Sequence, residues 1–391
     1  MSSNIRSLIP LYLVILLWGA GSGLMIPVFP LYIRSLGFSI EEWGALVMVY
    51  ALSTFIFEWA WGALSDRADR RIFIALGLLC GAILVPLYTL RALQPFFYIL
   101  QFLRGSLFIM VGPAVKAMVS DTASSEGLGL SMGLYSASRR LGGVLGPLIG
   151  SYIAQFWSSE SALYFYSLIS LIGAIVTVAG VRIKDGGETL TEARPPSPIS
   201  EWRYLFSTYS TLVLFMIPVI IFVVRTAISS YLPIYAAEAV GMSTMGVGIM
   251  FSVSNIAGLL TTPLFGWFSD RVGRRRVVLS GFLLSTIMSF GLFFAETPVQ
   301  LTLATVAFGL FFSPLTPLFL ATLTEVTPHG LLGAAMGFYS TFENLGIVVS
   351  PPIYSMLWSV HAPRTVFLFS ASTQVLGILL ILSIRGRHKR K

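Results

Sequence analysis

Residues 62–71 read GALSDRADRR, and residues 266–275 read GWFSDRVGRR. The two stretches begin 204 residues apart, and each is a short island of Asp and Arg between long apolar runs. So dense a charge cluster, confined to a loop between hydrophobic segments, belongs at a membrane surface. Its return at a fixed spacing predicts one structural unit used twice.

The runs on either side support a membrane reading. Of 391 residues, 55% are hydrophobic and only 11% charged, too few charges for a soluble chain of this length. Uncharged stretches such as 7–33, 72–90, 161–181, 277–295 and 365–384 match the roughly 20 residues that cross a bilayer as a helix. The pattern predicts an all-α integral membrane protein with twelve transmembrane helices, near 8–33, 43–65, 72–90, 95–119, 129–154, 161–183, 208–236, 245–268, 277–295, 298–323, 333–357 and 365–384. A β-barrel would show short alternating segments instead. The one sizeable polar stretch, 184–203, is rich in Pro, Gly and charge. It reads as a flexible connection. The expected organisation is a six-helix bundle over 1–183, a linker over 184–207 and a second six-helix bundle over 208–391 that ends in a basic tail.

Lys and Arg set the orientation. With the N-terminus inside, the inner segments carry Arg6, Arg67, Arg70, Arg71, Arg182, Lys184, Arg194, Arg203, Arg271, Arg274, Arg275, Arg276 and the tail from Arg385 to Lys391. The outer loops carry Arg34, Arg91 and Arg364. Both termini are therefore expected in the cytoplasm, with the tail against anionic lipid. The net charge of +8 is mostly this topology signal and gives no support to nucleic-acid binding. Cys80 is the single cysteine, so no disulfide can form within the chain. The first span is too long for a signal-peptide core and lacks a small-residue cleavage site.

The repeat extends beyond the opening motif. Gly133, Gly142 and Pro147 map onto Gly337, Gly346 and Pro351, and Asp121 maps onto Glu325, at the same offset. Two six-helix halves share one orientation, as in a parallel repeat about the membrane normal. The chain here resembles the major facilitator superfamily over nearly its whole length. The resemblance rests on twelve spans in two halves, a central cytoplasmic loop and the Gly-x-x-x-Asp-Arg-x-Gly-Arg-Arg loop after the second and eighth spans. The second copy matches fully; the first has Asp69 where the family has glycine. The fifth span resembles the family's exporter signature, Gly-x8-Gly-x3-Gly-Pro-x2-Gly-Gly, with Ser151 in the last place. Gly142, Gly146 and Gly150 recur every four residues, on one face that permits close helix contact next to Pro147.

The resemblance implies gating roles for Asp66, Arg67, Arg70, Arg71 and Asp121, and for Asp270, Arg271, Arg274 and Arg275. In the family the Asp of this loop faces a helix N-terminus in the other half and latches the inner gate. Asp121 is the expected partner of Arg70 or Arg71, and Asp69 is expected to loosen the first latch. Many family members carry an arginine tied to proton coupling where Gln101 stands; Arg104, three residues on, lies on the same helix face.

Charges within spans are costly and functional by default. Glu343 and Asn344 in the eleventh span occupy the repeat positions of Arg139 and Arg140 in the fifth. Glu343 is either a protonation site or a permanent salt bridge to one of those arginines. Arg225, in the middle of the seventh span, either binds an anion or has a structural role. Glu58 is either a partner of the Arg-rich loop or a second proton carrier. Arg225, Arg139, Arg140, Asn344, Gln101 and Arg104 form the candidate substrate-binding set. Trp59 and Trp61 read as interfacial anchors. No metal cluster, nucleophile triad or phosphate loop is visible in the sequence.

These readings point to a secondary transporter rather than an enzyme. It would work by rocker-switch alternating access in the plasma membrane, with proton-coupled efflux of drugs or small metabolites. Protons, a small-molecule substrate and lipid are its expected partners, no cofactor is expected, and a monomer suffices. The alternative is an organic-anion or sugar transporter that uses the midplane arginines. A receptor or scaffold on the same fold is a third class, against which stand the gate motifs in both halves.

Overall fold

The computed structural model describes residues 2–65, 68–122, 127–181, 209–327 and 332–383. Asp66, Arg67, the linker over 184–207 and the basic tail lie outside the described residues. Fourteen α-helices of twelve residues or more, with no strand among the described residues, make twelve spans. They are α1 Ser2–Ser35, α2 Ile40–Ser65, α3 Arg70–Leu87, α4 Phe97–Phe108, α5 Val111–Thr122, α6 Leu128–Phe156, α7 Ser159–Gly180, α8 Tyr209–Thr226, α9 Thr244–Val272, α10 Arg274–Phe294, α11 Pro298–Phe312, α12 Leu315–Val326, α13 Leu332–Val360 and α14 Thr365–Ser383. Hydrocarbon offers no partner to backbone N–H and C=O groups, so helices that satisfy them internally are the available solution. Ten segments are long and apolar enough to cross a membrane. The other two spans are α6 and α13, which carry Arg139, Arg140 and Glu343.

Spans four and ten each consist of two helices, α4 with α5 and α11 with α12, and they break at repeat-equivalent places: Ile109–Met110 and Ser313–Pro314. The cause is legible in Pro113 and Pro317. A helical proline lacks its N–H and its ring crowds the carbonyl four residues back, here that of Ile109 and of Ser313. In span seven the backbone widens into π-helical turns at Ala227–Tyr231 and Tyr235–Ala239, on either side of Pro233. Widening of this kind re-satisfies the groups a proline frees. By contrast α1 stays one helix through Pro27 and Pro30.

Two compact units result. Unit 1 holds residues 1–189 together with 233–255; unit 2 holds 190–232 and 256–391. In unit 1, α6 lies along α1. A Cβ on Gly142 or Gly146 would collide with the α1 backbone at Leu16 and Ala20, so the spacing of four places a bare helix face against a neighbouring backbone. In unit 2, α13 packs on α8 in the same way, and a Cβ on Gly346 would come within 2.5 Å of the Val219 carbonyl oxygen. The core of unit 2 is apolar and aromatic, with Phe215, Phe282 and Leu315 fully buried in it. Trp59 is 82% exposed; the Trp61 indole N–H donates to the Ser106 carbonyl at 2.6 Å and its ring packs on Phe57 and Phe73.

Candidate functional site

The Arg-rich loops form matched ion pairs at one end of each unit. In unit 1, Arg70 pairs with Asp121. In unit 2, the equivalent Arg274 pairs with Glu325 at 3.1 Å and reaches Asp270 at 3.7 Å. Both pairs tie the start of a helix that follows the loop (α3, α10) to the end of span four or ten. Arg271 stacks on Trp267, 3.8 Å from the ring centre. Asp69 does the opposite of loosening its loop. It is the N-cap of α3, accepting from the Arg71 backbone N–H at 2.9 Å, and it holds the Arg71 guanidinium through Nε and Nη2 at 2.9 and 2.7 Å. A carboxylate at a helix start satisfies an orphan N–H and complements the helix dipole. Burial alone would raise its pKa, but the bonds from Arg71 and its charge outweigh that and hold Asp69 below the usual carboxylate value.

Deeper in unit 1, Gln101 and Arg104 are both buried, at 3% and 8% exposure. The Gln101 oxygen accepts from the Tyr88 hydroxyl at 2.6 Å and lies 3.5 Å from Arg104 Nη1. The Arg104 guanidinium sits over the rings of Phe29 and Tyr50, about 5 Å from each. Its Nε is buried with no hydrogen-bond partner, and its electrostatic neighbours are the tyrosines Tyr50, Tyr88 and Tyr166. A guanidinium held in this way, with no carboxylate beside it among the described residues, is a buried cation compensated only by rings and dipoles. Nearby, Arg139 lies 3.6 Å over the Trp18 ring, and the Trp18 indole N–H is buried without a partner. Arg140 and Glu58 are half-buried, on α6 and α2.

In unit 2, α13 carries Tyr339 and, one turn on, Glu343 with Asn344 next to it. Glu343 is half-buried. The Tyr339 hydroxyl is buried. Asn344 is turned back onto its own helix, its amide donating to the Ser340 carbonyl at 3.0 Å. Arg225 is exposed and lies 5.3 Å from the Phe222 ring. The structure thus sets Tyr339 and Glu343 one turn apart on the helix that packs against that of Arg225, and brings Gln101, Arg104 and the Tyr88 hydroxyl together.

One pair went unnoticed in the sequence. Arg34, at the end of α1, meets Glu238 in a bidentate ion pair, Nε to Oε1 at 2.7 Å and Nη2 to Oε2 at 3.0 Å. The two residues are 204 positions apart, so opposite charges at repeat-equivalent places were the available signal. The rest of the 233–255 segment also packs within unit 1. Ser252 donates to the Val144 carbonyl and Asn255 to the Gly143 carbonyl, both at 2.8 Å, on the glycine-rich stretch of α6. Second-half residues are thereby held to first-half helices.

Comparison with known proteins agrees with this architecture. The family model described as Major Facilitator Superfamily matches residues 11–258 and 214–391. The multidrug resistance protein MdtG of Klebsiella pneumoniae (strain 342) is 25% identical over 382 residues, covering 94% of this chain and 91% of its own. MdtG of Enterobacter lignolyticus (strain SCF1) is 26% identical over 373 residues, covering 91% and 86%. Among solved structures, a bacterial homolog of the human lysosomal transporter Spinster, inward-facing and occupied, superposes with a TM-score of 0.82 at 13% identity over 98% of this chain and 97% of its own. A D-xylose–proton symporter gives 0.82 at 15% identity over the whole of both chains. At such identities these two structures speak for the fold alone.

Proposed function

The chain belongs to the major facilitator superfamily and is a multi-pass membrane transporter, and from that premise we propose that it exports small organic molecules across the plasma membrane in exchange for protons. The observation that carries the reading is a half-buried carboxylate within a span: Glu343 stands one turn from Tyr339 on α13, which packs on α8, the helix that carries Arg225. A carboxyl's proton affinity rises as it is desolvated and falls beside a guanidinium. A helix motion that changes the separation of Glu343 from Arg225 would therefore load or release a proton. Glu58 is the second candidate carrier. The multidrug names of the 25–26% identical relatives support a small-molecule efflux role.

Alternating access follows the rocker switch of the family. Arg70–Asp121 and Arg274–Glu325 brace the inner ends of the two halves, with Asp66, Arg67, Arg71, Asp270, Arg271 and Arg275 completing the inner latches. At the other end Arg34–Glu238 holds a second-half residue to the first half, the bonds from Ser252 and Asn255 do so at the middle of α6, and outward opening breaks them. This reading puts both termini in the cytoplasm, which the arginine distribution supports.

A second reading, an importer or facilitator of an organic anion or sugar, is favoured by Arg104. A buried guanidinium with uncharged partners suits a substrate carboxylate or phosphate, and Arg139, Arg140 and Arg225 add positive charge.

The test is pH change outside proteoliposomes of known orientation on substrate addition. Substrate-evoked proton movement in the wild type that disappears in Glu343→Gln supports the proposal. Movement that survives in Glu343→Gln and disappears in Glu58→Gln moves the carrier to Glu58. Substrate flux without any proton movement overturns the antiporter and leaves the anion reading.

A further inference from the structure

Span four carries a permanent cation with no carboxylate beside it among the described residues. Arg104 is 8% exposed, and its guanidinium lies 5.2 Å from the ring centre of Phe29 on α1 and 5.3 Å from that of Tyr50 on α2. A guanidinium has five N–H donors and no acceptor. The Gln101 side-chain oxygen takes Nη1 only at a long 3.5 Å, and the Tyr88 hydroxyl already holds that oxygen at 2.6 Å. Nε is buried, and no protein group among the described residues accepts from it. Tyr166, on α7, repeats the situation. It is 1% exposed, its hydroxyl is buried without a protein partner, and it is a neighbour of the same guanidinium.

Two buried donors from different helices therefore lack an acceptor at one place. A buried donor without an acceptor is destabilising, and a buried charge without a counter-charge is more so. A water molecule would satisfy the donors and leave the charge; an anion answers both needs. Enclosure limits its size. A Cβ on Gly105, next to Arg104, would come within 2.6 Å of the Tyr50 carbonyl oxygen. One on Gly81 of α3 would come within 3.0 Å of the Tyr166 hydroxyl and 3.2 Å of the Phe108 ring. Helices α2 and α3 thus close on α4 and α7 at near-backbone distance, and the donors face a space walled by helices and rings.

We propose that Arg104 Nε and the Tyr166 hydroxyl hold a small monovalent anion of halide size, chloride in physiological media, inside the first bundle. Such an ion neutralises the guanidinium in the conformation described here, whatever the charge of the carried substrate and whether or not protons are exchanged. The carboxylate of a carried substrate offers the same acceptor chemistry from another source, and the test separates the two.

The experiment is thermal unfolding of the full chain in detergent at constant ionic strength, with chloride or bromide exchanged stepwise for methanesulfonate. The wild-type midpoint should rise saturably with chloride and with bromide, as for any ligand that binds the folded state. Tyr166→Phe removes one donor and should raise the chloride concentration for half the shift about tenfold, the loss expected for one hydrogen bond to an ion. Arg104→Gln should abolish the response; if that variant fails to fold, Tyr166→Phe still decides. A wild-type midpoint indifferent to chloride would mean that water alone serves the donors. Unchanged half-saturation in Tyr166→Phe would mean an adventitious ion only, bound elsewhere. Stabilisation by acetate but not by chloride would assign the donors to a substrate carboxylate. Each of these three results would overturn the proposal.

Discussion

Neutralising Glu238 is expected to shift the conformational balance of the transporter by a calculable amount. The Arg34–Glu238 pair is bidentate, with side chains 25% and 38% exposed. Exposed ion pairs contribute about 0.2–1 kcal/mol, and good bidentate geometry places this one near the top of that range. About 1 kcal/mol corresponds to a roughly fivefold change in an equilibrium constant. Glu238→Gln and Arg34→Gln should therefore each raise the population open at the outer end about fivefold. The double variant should do no more than either single one, because the second change finds no interaction left to remove. The measurement is pulsed electron–electron spin distance distributions between labels on the outer ends of α1 and α9, taken for wild type, both single variants and the double variant. Screening supplies a second signature, since the effect should shrink between about 10 mM and 1 M salt as the Debye length falls from about 30 to 3 Å. Additive effects of the two substitutions, or single variants with unchanged distance distributions, would refute the idea that this pair latches the outer end.

Gly146→Val should destabilise the protein by about 1–3 kcal/mol through overpacking, because even its Cβ meets the Ala20 backbone carbonyl of α1; thermal unfolding in detergent reads this as a lowered Tm, and Gly143→Val, whose Cβ meets nothing within 4 Å, serves as the neutral comparison. The Asp69 cap has a pH signature. Its folded-state pKa is depressed, so its contribution is complete above the unfolded value of about 4 and is lost as pH falls through the folded value. At pH 7 Asp69→Asn should cost under about 1 kcal/mol, since the pair is partly solvated, and the gap to wild type should close on acidification below about pH 4. A stability difference that persists unchanged at low pH would count against the ion-paired cap.

Much of the architecture was legible because hydrocarbon permits few alternatives. A run of about 20 uncharged residues must be a helix, and two Asp–Arg islands at an offset of 204 announce a duplicated bundle. The glycines at 142, 146 and 150 announced a close helix contact, although they could not say that α1 was the neighbour. Pro113 and Pro317 held a further signal: their equivalence predicts the breaks in spans four and ten. Asp69 was misjudged because comparison with a family glycine treats the acid as a defect. Its partner lies two residues away, and the bond depends on a cap geometry that residue types alone do not specify.

Composition, periodicity and repeat spacing determined the helices, the duplication and the matched arginine loops, since these follow from local backbone chemistry and from transfer out of water. Tertiary structure alone decided which side chains meet. It set Glu343 one turn from Tyr339 on a helix packed against that of Arg225, closed Arg34 on Glu238, stacked Arg139 on Trp18, and left Arg104 among rings with no acid beside it among the described residues. The physical reason is that electrostatic partnership acts over a few ångströms, whereas the order of residues along a chain constrains distance only within a helix turn or two.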